Sequence, residues 1–168
     1  MASLFTILGT LSLSLLCICR ADLISDVCSA TIIPDFCTET LRSDQAARAA
    51  PDAKSLGLIV IRIAKSAIRD LIAVTKKIGG PRVECVEMDD SAIEDLDEIL
   101  DYLTIPDSTM IVTKDDFLDH VSGVNIDMET CEDDFRGGEP APADLKAATD
   151  RAERTVMILY GIGNKLFE

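Results

Sequence analysis

The chain has no tryptophan, two tyrosines, five phenylalanines and a single histidine in 168 residues. So few flat rings exclude the wide stacking platforms that hold bases or sugars. One imidazole, His120, gives a histidine-rich metal cluster or a Ser–His or Cys–His catalytic pair little to work with. Positive charge is scarce as well: 16 Lys and Arg stand against 30 Asp and Glu, a formal net charge of -14. A nucleic-acid binder needs the opposite balance to neutralise phosphates. An anionic lipid surface would repel this chain. Runs of alternating apolar and polar residues, the mark of half-buried strands, are missing. Past the N-terminus no stretch approaches the roughly 20 apolar residues of a membrane span.

What is present is apolar content. Hydrophobic residues make up 48% of the chain, enough to bury a core and too much for a disordered acidic tail. The length fits one domain. Residues 4–18 form an uncharged apolar run that ends at Cys17-Ile18-Cys19-Arg20-Ala21. Its position, its shortness and the small residues behind it predict a secretory signal peptide over 1–21, cut after Ala21. The mature domain is then 22–168. It contains no further membrane-spanning segment, and its acidic surface disfavours self-association, so a monomer is expected.

Four stretches carry helical period. Over 52–78, Leu56, Val60, Ile63, Ala67, Leu71, Val74 and Ile78 form a stripe widened by Ile59, Ile68 and Ile72. Gly79-Gly80-Pro81 ends it. Over 81–103 the stripe is Cys85, Ala92, Leu96, Ile99 and Leu103. The rest of that helix reads as an almost wholly acidic face: Glu87, Asp89, Asp90, Glu94, Asp95, Asp97, Glu98 and Asp101. Over 113–135 the stripe is Phe117, Val121, Val124, Met128, Cys131 and Phe135. Thr113 stands at the N-cap and Asp116 in the capping-box position. Over 143–166 it runs through Leu145, Ala148, Ala152, Val156, Leu159 and Ile162, with Gly161 and Gly163 weakening the last turns. Short links between such helices predict an all-α, antiparallel, up-down-up-down four-helix bundle over 52–168. An N-terminal hairpin of two short helical pieces over 22–44 precedes it, joined by a linker over 45–51.

Signal cleavage removes Cys17 and Cys19 and leaves Cys28, Cys37, Cys85 and Cys131. An even count in an exported chain predicts two disulfides. Of the three pairings, spacing favours Cys28–Cys37 with Cys85–Cys131. The start of the second long helix and the end of the third meet in an antiparallel pair, so that geometry agrees.

These residues are recognisable together. Leu23-Ile24-Ser25-Asp26-Val27-Cys28, Pro34-Asp35-Phe36-Cys37 and Leu41-Arg42-Ser43-Asp44 resemble the opening of the plant invertase and pectin methylesterase inhibitor family. Leu56-Gly57, Cys85 with Ala92-Ile93-Glu94-Asp95-Leu96, Val124-Asn125-Ile126 and Thr130-Cys131-Glu132-Asp133-Asp134-Phe135 are similar to its later motifs. The resemblance covers the mature chain, and four cysteines in register make it specific. It implies a four-helix bundle with a helical hairpin and the same two disulfides. Two departures stand out. Thr155 occupies the place of an unpaired cysteine found in many members. The Pro-Lys-Phe motif that some invertase inhibitors insert into invertase is missing: Phe117 matches its Phe, but Asp115 and Asp116 precede it.

The function the resemblance implies is that of a secreted, non-enzymatic inhibitor. It would bind 1:1 over the cleft of pectin methylesterase, in the apoplast or cell wall. Acid invertase is the alternative target and the vacuole the alternative compartment. A secreted helical module that inhibits nothing is the competing class. The expected contact face is the acidic side of the second and third bundle helices: Glu94, Asp97, Glu98, Asp101, Asp116, Asp119 and Glu129. Tyr102, Phe117 or Leu118 serve as apolar anchors if exposed. No cofactor and no metal are expected, because Asp89-Asp90 and Asp115-Asp116 sit outside any D-x-D-x-D-G loop. His120, without a Ser or Cys partner at useful spacing, reads as a rim residue that makes binding mildly pH-sensitive.

Overall fold

The computed structural model describes residues 23–78, 83–105, 112–136 and 141–168, with the side chains of 83–84 and 130–136 left out. The signal-peptide segment, the Gly79-Gly80-Pro81 stop, the middle of the 104–113 link and the Gly137–Pro140 connection therefore lie outside the described residues. Within them the chain is helical: α1 (23–29), then α2 (Pro34–Ser43), α3 (Gln45–Ala49), α4 (Ala53–Ile78), α5 (Val83–Thr104), α6 (Lys114–Arg136) and α7 (Ala143–Leu166).

Local chemistry sets several of these boundaries. Pro34 opens α2, where its missing N–H costs nothing. Asp44 ends that helix and caps the next, its Oδ1 accepting from the Ala47 amide at 3.0 Å. The expected linker over 45–51 is thus a short helix. Its alanines favour that conformation, and Ala47 and Ala50 are buried. Asp52 caps α4 by accepting from the Ser55 amide at 2.7 Å. At α6 the capping box forms in both directions. Thr113 Oγ1 accepts from the Asp116 amide at 3.2 Å, and Asp116 Oδ2 accepts from the Thr113 amide at 2.9 Å.

The long helices form a ring in which α4 packs on α5 and α7, and α6 on α5 and α7. Every neighbouring pair is antiparallel. A Cβ on Gly57 of α4 would meet Leu103 near the end of α5 at 2.9 Å and Ile162 near the end of α7 at 3.0 Å. Farther along, Lys65 of α4 bridges to Asp97 of α5. Tyr102 of α5 meets His120 of α6, and Gly163 of α7 meets Phe117 of α6. The buried apolar side chains of all these helices form one cluster.

The stripes differ from expectation in detail. In α4 the buried positions include Ile61 and Ala64, while Ile63 is only half-buried at a groove beside α2 and α7. In α5, Asp89 does not belong to the acidic face: it is fully buried. It fills the gap of seven between Cys85 and Ala92 and so completes a stripe spaced four, three, four, three, four.

The hairpin lies on α7. Cys28 and Cys37, both buried, form the disulfide expected from spacing, with Cα atoms 5.4 Å apart. Gly161 admits the hairpin backbone, because a Cβ there would stand 2.4 Å from the Val27 carbonyl oxygen. Asn164 Nδ2 donates to the Ala30 carbonyl at 3.3 Å, and the Arg154 guanidinium lies 4.1 Å above the centre of the Phe36 ring. Cys85 is buried and disulfide-bonded. The side chain of Cys131, its expected partner, lies outside the described residues.

Candidate functional site

Helix α5 stands between α4 and α6, and its polar residues divide accordingly. Asp97 leans toward α4, where it meets Lys65. Asp95, Glu98 and Tyr102 lean toward α6. There the Tyr102 hydroxyl lies 2.8 Å from His120 Nε2, and His120 Nδ1 lies 3.3 Å from Glu98 Oε2 and 3.8 Å from Asp95 Oδ1. Glu94 and Asp101 are exposed between these two sides.

Helix α6 has two flanks. His120, Gly123 and Asp127 face α5. A Cβ on Gly123 would stand 2.9 Å from the Asp95 carboxylate, so the glycine makes room for it. Burial and the charge of Asp95 push the Asp127 carboxyl above its ordinary range. The opposite flank faces α7 and the hairpin. Ser122, Asn125, Ile126 and Glu129 line an open groove of about 520 Å³ with the Ala30–Ile32 turn of the hairpin and with Met157, Tyr160 and Asn164 of α7. Ile32 and Ile126 are 85% and 58% exposed, which gives this groove the two most exposed large apolar side chains among the described residues.

The expected contact residues therefore do not form one patch. Glu94, Glu98 and Asp101 share the outer side of α5, and Asp119 is exposed on α6. Asp97 turns toward α4, and Glu129 toward the hairpin groove. Asp116 is exposed, but its carboxylate is occupied by the capping box, and the Thr113 hydrogen bonds hold its pKa below the usual range. Tyr102 is half-buried, and burial raises its hydroxyl. Phe117 is a correction. It is fully buried, packed where Gly163 leaves space and 6.0 Å from the Phe167 ring, and so offers no anchor. Its place on the α6 stripe, four residues before Val121, explains this. Leu118 is half-buried against α7.

Two features were not anticipated. His120 draws Asp95 and Glu98 together with Tyr102, a cluster the sequence hints at only by placing a helical i, i+3 pair on one helix. Asp89 has no hydrogen-bond partner for either carboxylate oxygen among the described residues. Burial, with the charges of Asp90 and Asp127, raises its pKa to about 7. The gap it fills in the α5 stripe was its signal.

A family profile described as plant invertase/pectin methylesterase inhibitor matches residues 22–162. Among solved structures, mutant form A of a pectin methylesterase inhibitor from Arabidopsis is similar, with a TM-score of 0.68 at 20% identity over 84% of this chain and 95% of that one. A pectin methylesterase inhibitor from Arabidopsis thaliana gives 0.57 at 21% identity over 85% and 95%. At such identity these two likenesses speak to the fold. No curated protein sequence matches the chain.

Proposed function

Because the chain belongs to the plant invertase/pectin methylesterase inhibitor family, whose members are non-catalytic inhibitors, we propose that it is secreted and binds a pectin methylesterase 1:1 over the substrate cleft. The observation that carries the choice of target is the burial of Phe117. An invertase inhibitor of the Pro-Lys-Phe type needs that ring on the surface. Here it lies in the core behind two aspartates. The two similar solved structures are of pectin methylesterase inhibitors, which supports the same reading.

The cleft of a pectin methylesterase accepts an anionic polyuronate. An acidic helical surface suits the basic rim such a cleft requires. Glu94, Glu98 and Asp101 on α5 with Asp119 on α6 are the residues we assign to that contact, and Tyr102 lies at their edge. Their charges act mainly on association rate and specificity. Each exposed pair adds about 0–1 kcal/mol at most. The mature domain of this reading is 22–168, with hairpin 22–44 and bundle 52–168, monomeric and exported to the cell wall. Its second disulfide joins Cys85 to Cys131.

Titrating the refolded protein against a pectin methylesterase and an acid invertase at pH 5 to 7 tests the proposal. Loss of esterase activity alone is expected. Loss of invertase activity alone reverses the target, and no effect on either moves the chain to the non-inhibitory class. Glu98→Gln with Asp101→Asn should slow association with the esterase. Glu129→Gln, on the other flank of α6, should leave it unchanged.

A further inference from the structure

We propose that Asp95, Glu98 and His120 form a binding site for a divalent zinc-class cation that ties α5 to α6. One ligand atom from each residue lies within 4.8 Å of the others. In a tetrahedral zinc site with bonds of about 2.0–2.1 Å, donor atoms stand about 3.3–3.4 Å apart. The Nδ1–Glu98 Oε2 distance of 3.3 Å already has that value, and the Nδ1–Asp95 Oδ1 distance of 3.8 Å needs a small rotamer adjustment.

Two further features support it. The Tyr102 hydroxyl holds His120 Nε2 at 2.8 Å. In the tautomer whose Nε2–H donates to that oxygen, the Nδ1 lone pair faces two carboxylates and can take a cation between them. Second-sphere hydrogen bonding of this kind is how metal-binding imidazoles are oriented. Gly123, one turn along α6, leaves the space the Asp95 carboxylate occupies.

The donor set selects the metal. One imidazole and two carboxylates suit zinc or a similar first-row ion, with water completing the shell. Calcium would require six to eight oxygens. The surrounding charge is favourable, since the further carboxyls of Asp116 and Asp127 on α6 lie within electrostatic reach of His120 and Asp95 respectively. The site is open enough to load from solvent, with side-chain exposures of 27% for His120, 32% for Asp95 and 61% for Glu98. The inference does not depend on which enzyme the protein inhibits.

The chain's one histidine makes the test direct. Zinc chloride titrated into the purified protein at pH 7 should shift or broaden the His120 ring protons with one-to-one saturation, and calcium at equal concentration should not. By calorimetry, His120→Ala and Glu98→Gln should weaken zinc binding at least about tenfold. Tyr102→Phe should do so by several-fold to about tenfold. The distant Asp150→Asn control should bind as the parent does. The ring measurement on the unaltered protein holds even if a variant folds poorly. A ring that titrates with pH but ignores zinc would mean a proton does the work, and would overturn the proposal. So would zinc binding that survives His120→Ala, or that falls equally in Asp150→Asn.

Discussion

Asp89 is a carboxyl in the core with no hydrogen-bond partner among the described residues, and burial raises its pKa to about 7 from the ordinary 3.8 of an aspartate. The folded state therefore holds this proton more tightly than the unfolded chain does. Its effect on stability is nil below about pH 4. Between about pH 4 and 7 the unfolded chain alone releases the proton, and stability falls by up to ~1.4 kcal/mol per pH unit. Asp44 and Asp52 act in the other direction. The Arg62 hydrogen bond and the Ser55 amide respectively lower their pKa values, so their contributions are lost only as pH drops below about 4. The urea midpoint should peak in mildly acid buffer and decline toward neutrality. Asp89→Asn should flatten that decline, and an unchanged slope would mean the carboxyl has found a partner. Counting apolar residues alone does not find Asp89; only the vacant turn between Cys85 and Ala92 in the α5 stripe points to it. Phe117 shows the reverse. Its position on the α6 stripe announced burial, and its match to a family motif suggested an anchor; periodicity was the better guide.

Long elements were legible where their termini carried chemistry. The residues 143–166 expected for the last helix are those observed for α7, and Thr113 with Asp116 marks the start of α6 as expected. Thr113→Ala should cost about 1 kcal/mol, read from the thermal midpoint. The short α3 was not legible. Five residues are too few to show a period, and it exists because Asp44 caps it, Arg62 holds Asp44 at 2.6 Å, and two alanines are buried. Gly161 and Gly163 read in the sequence as weak points in a helix. In three dimensions they are the places where other parts of the chain come close, the hairpin backbone at Gly161 and the Phe117 ring at Gly163. Gly161→Ala should thus destabilise, although alanine is the better helix former. We expect a loss of about 1–3 kcal/mol, with amide exchange accelerated over residues 23–43 and little changed in α4.

At the scale of the molecule, helix period and short links specify an antiparallel ring, since each stripe can be buried only against its neighbours. The division of the acidic surface could not be read that way. Which flank of α5 or α6 a carboxylate occupies depends on how each helix is rotated against two partners. A crosslink between Cys85 and Cys131 would close a loop of 47 residues, worth about 4 kcal/mol in the chain-entropy view. Replacing both with serine should lower the thermal midpoint substantially. With 30 acidic residues against 16 basic ones, association with a basic target should slow as salt rises from 0.05 to 0.5 M, at roughly the ionic strengths where the Debye length shrinks from ~14 to ~4 Å.

The docking of the hairpin on Gly161 and Asn164 has an implication for biosynthesis. The hairpin is translated before α7 and finds its seat on that helix. Until the last turns of α7 have left the ribosome, the Cys28–Cys37 staple waits without that shelter, and the hairpin can dock only late.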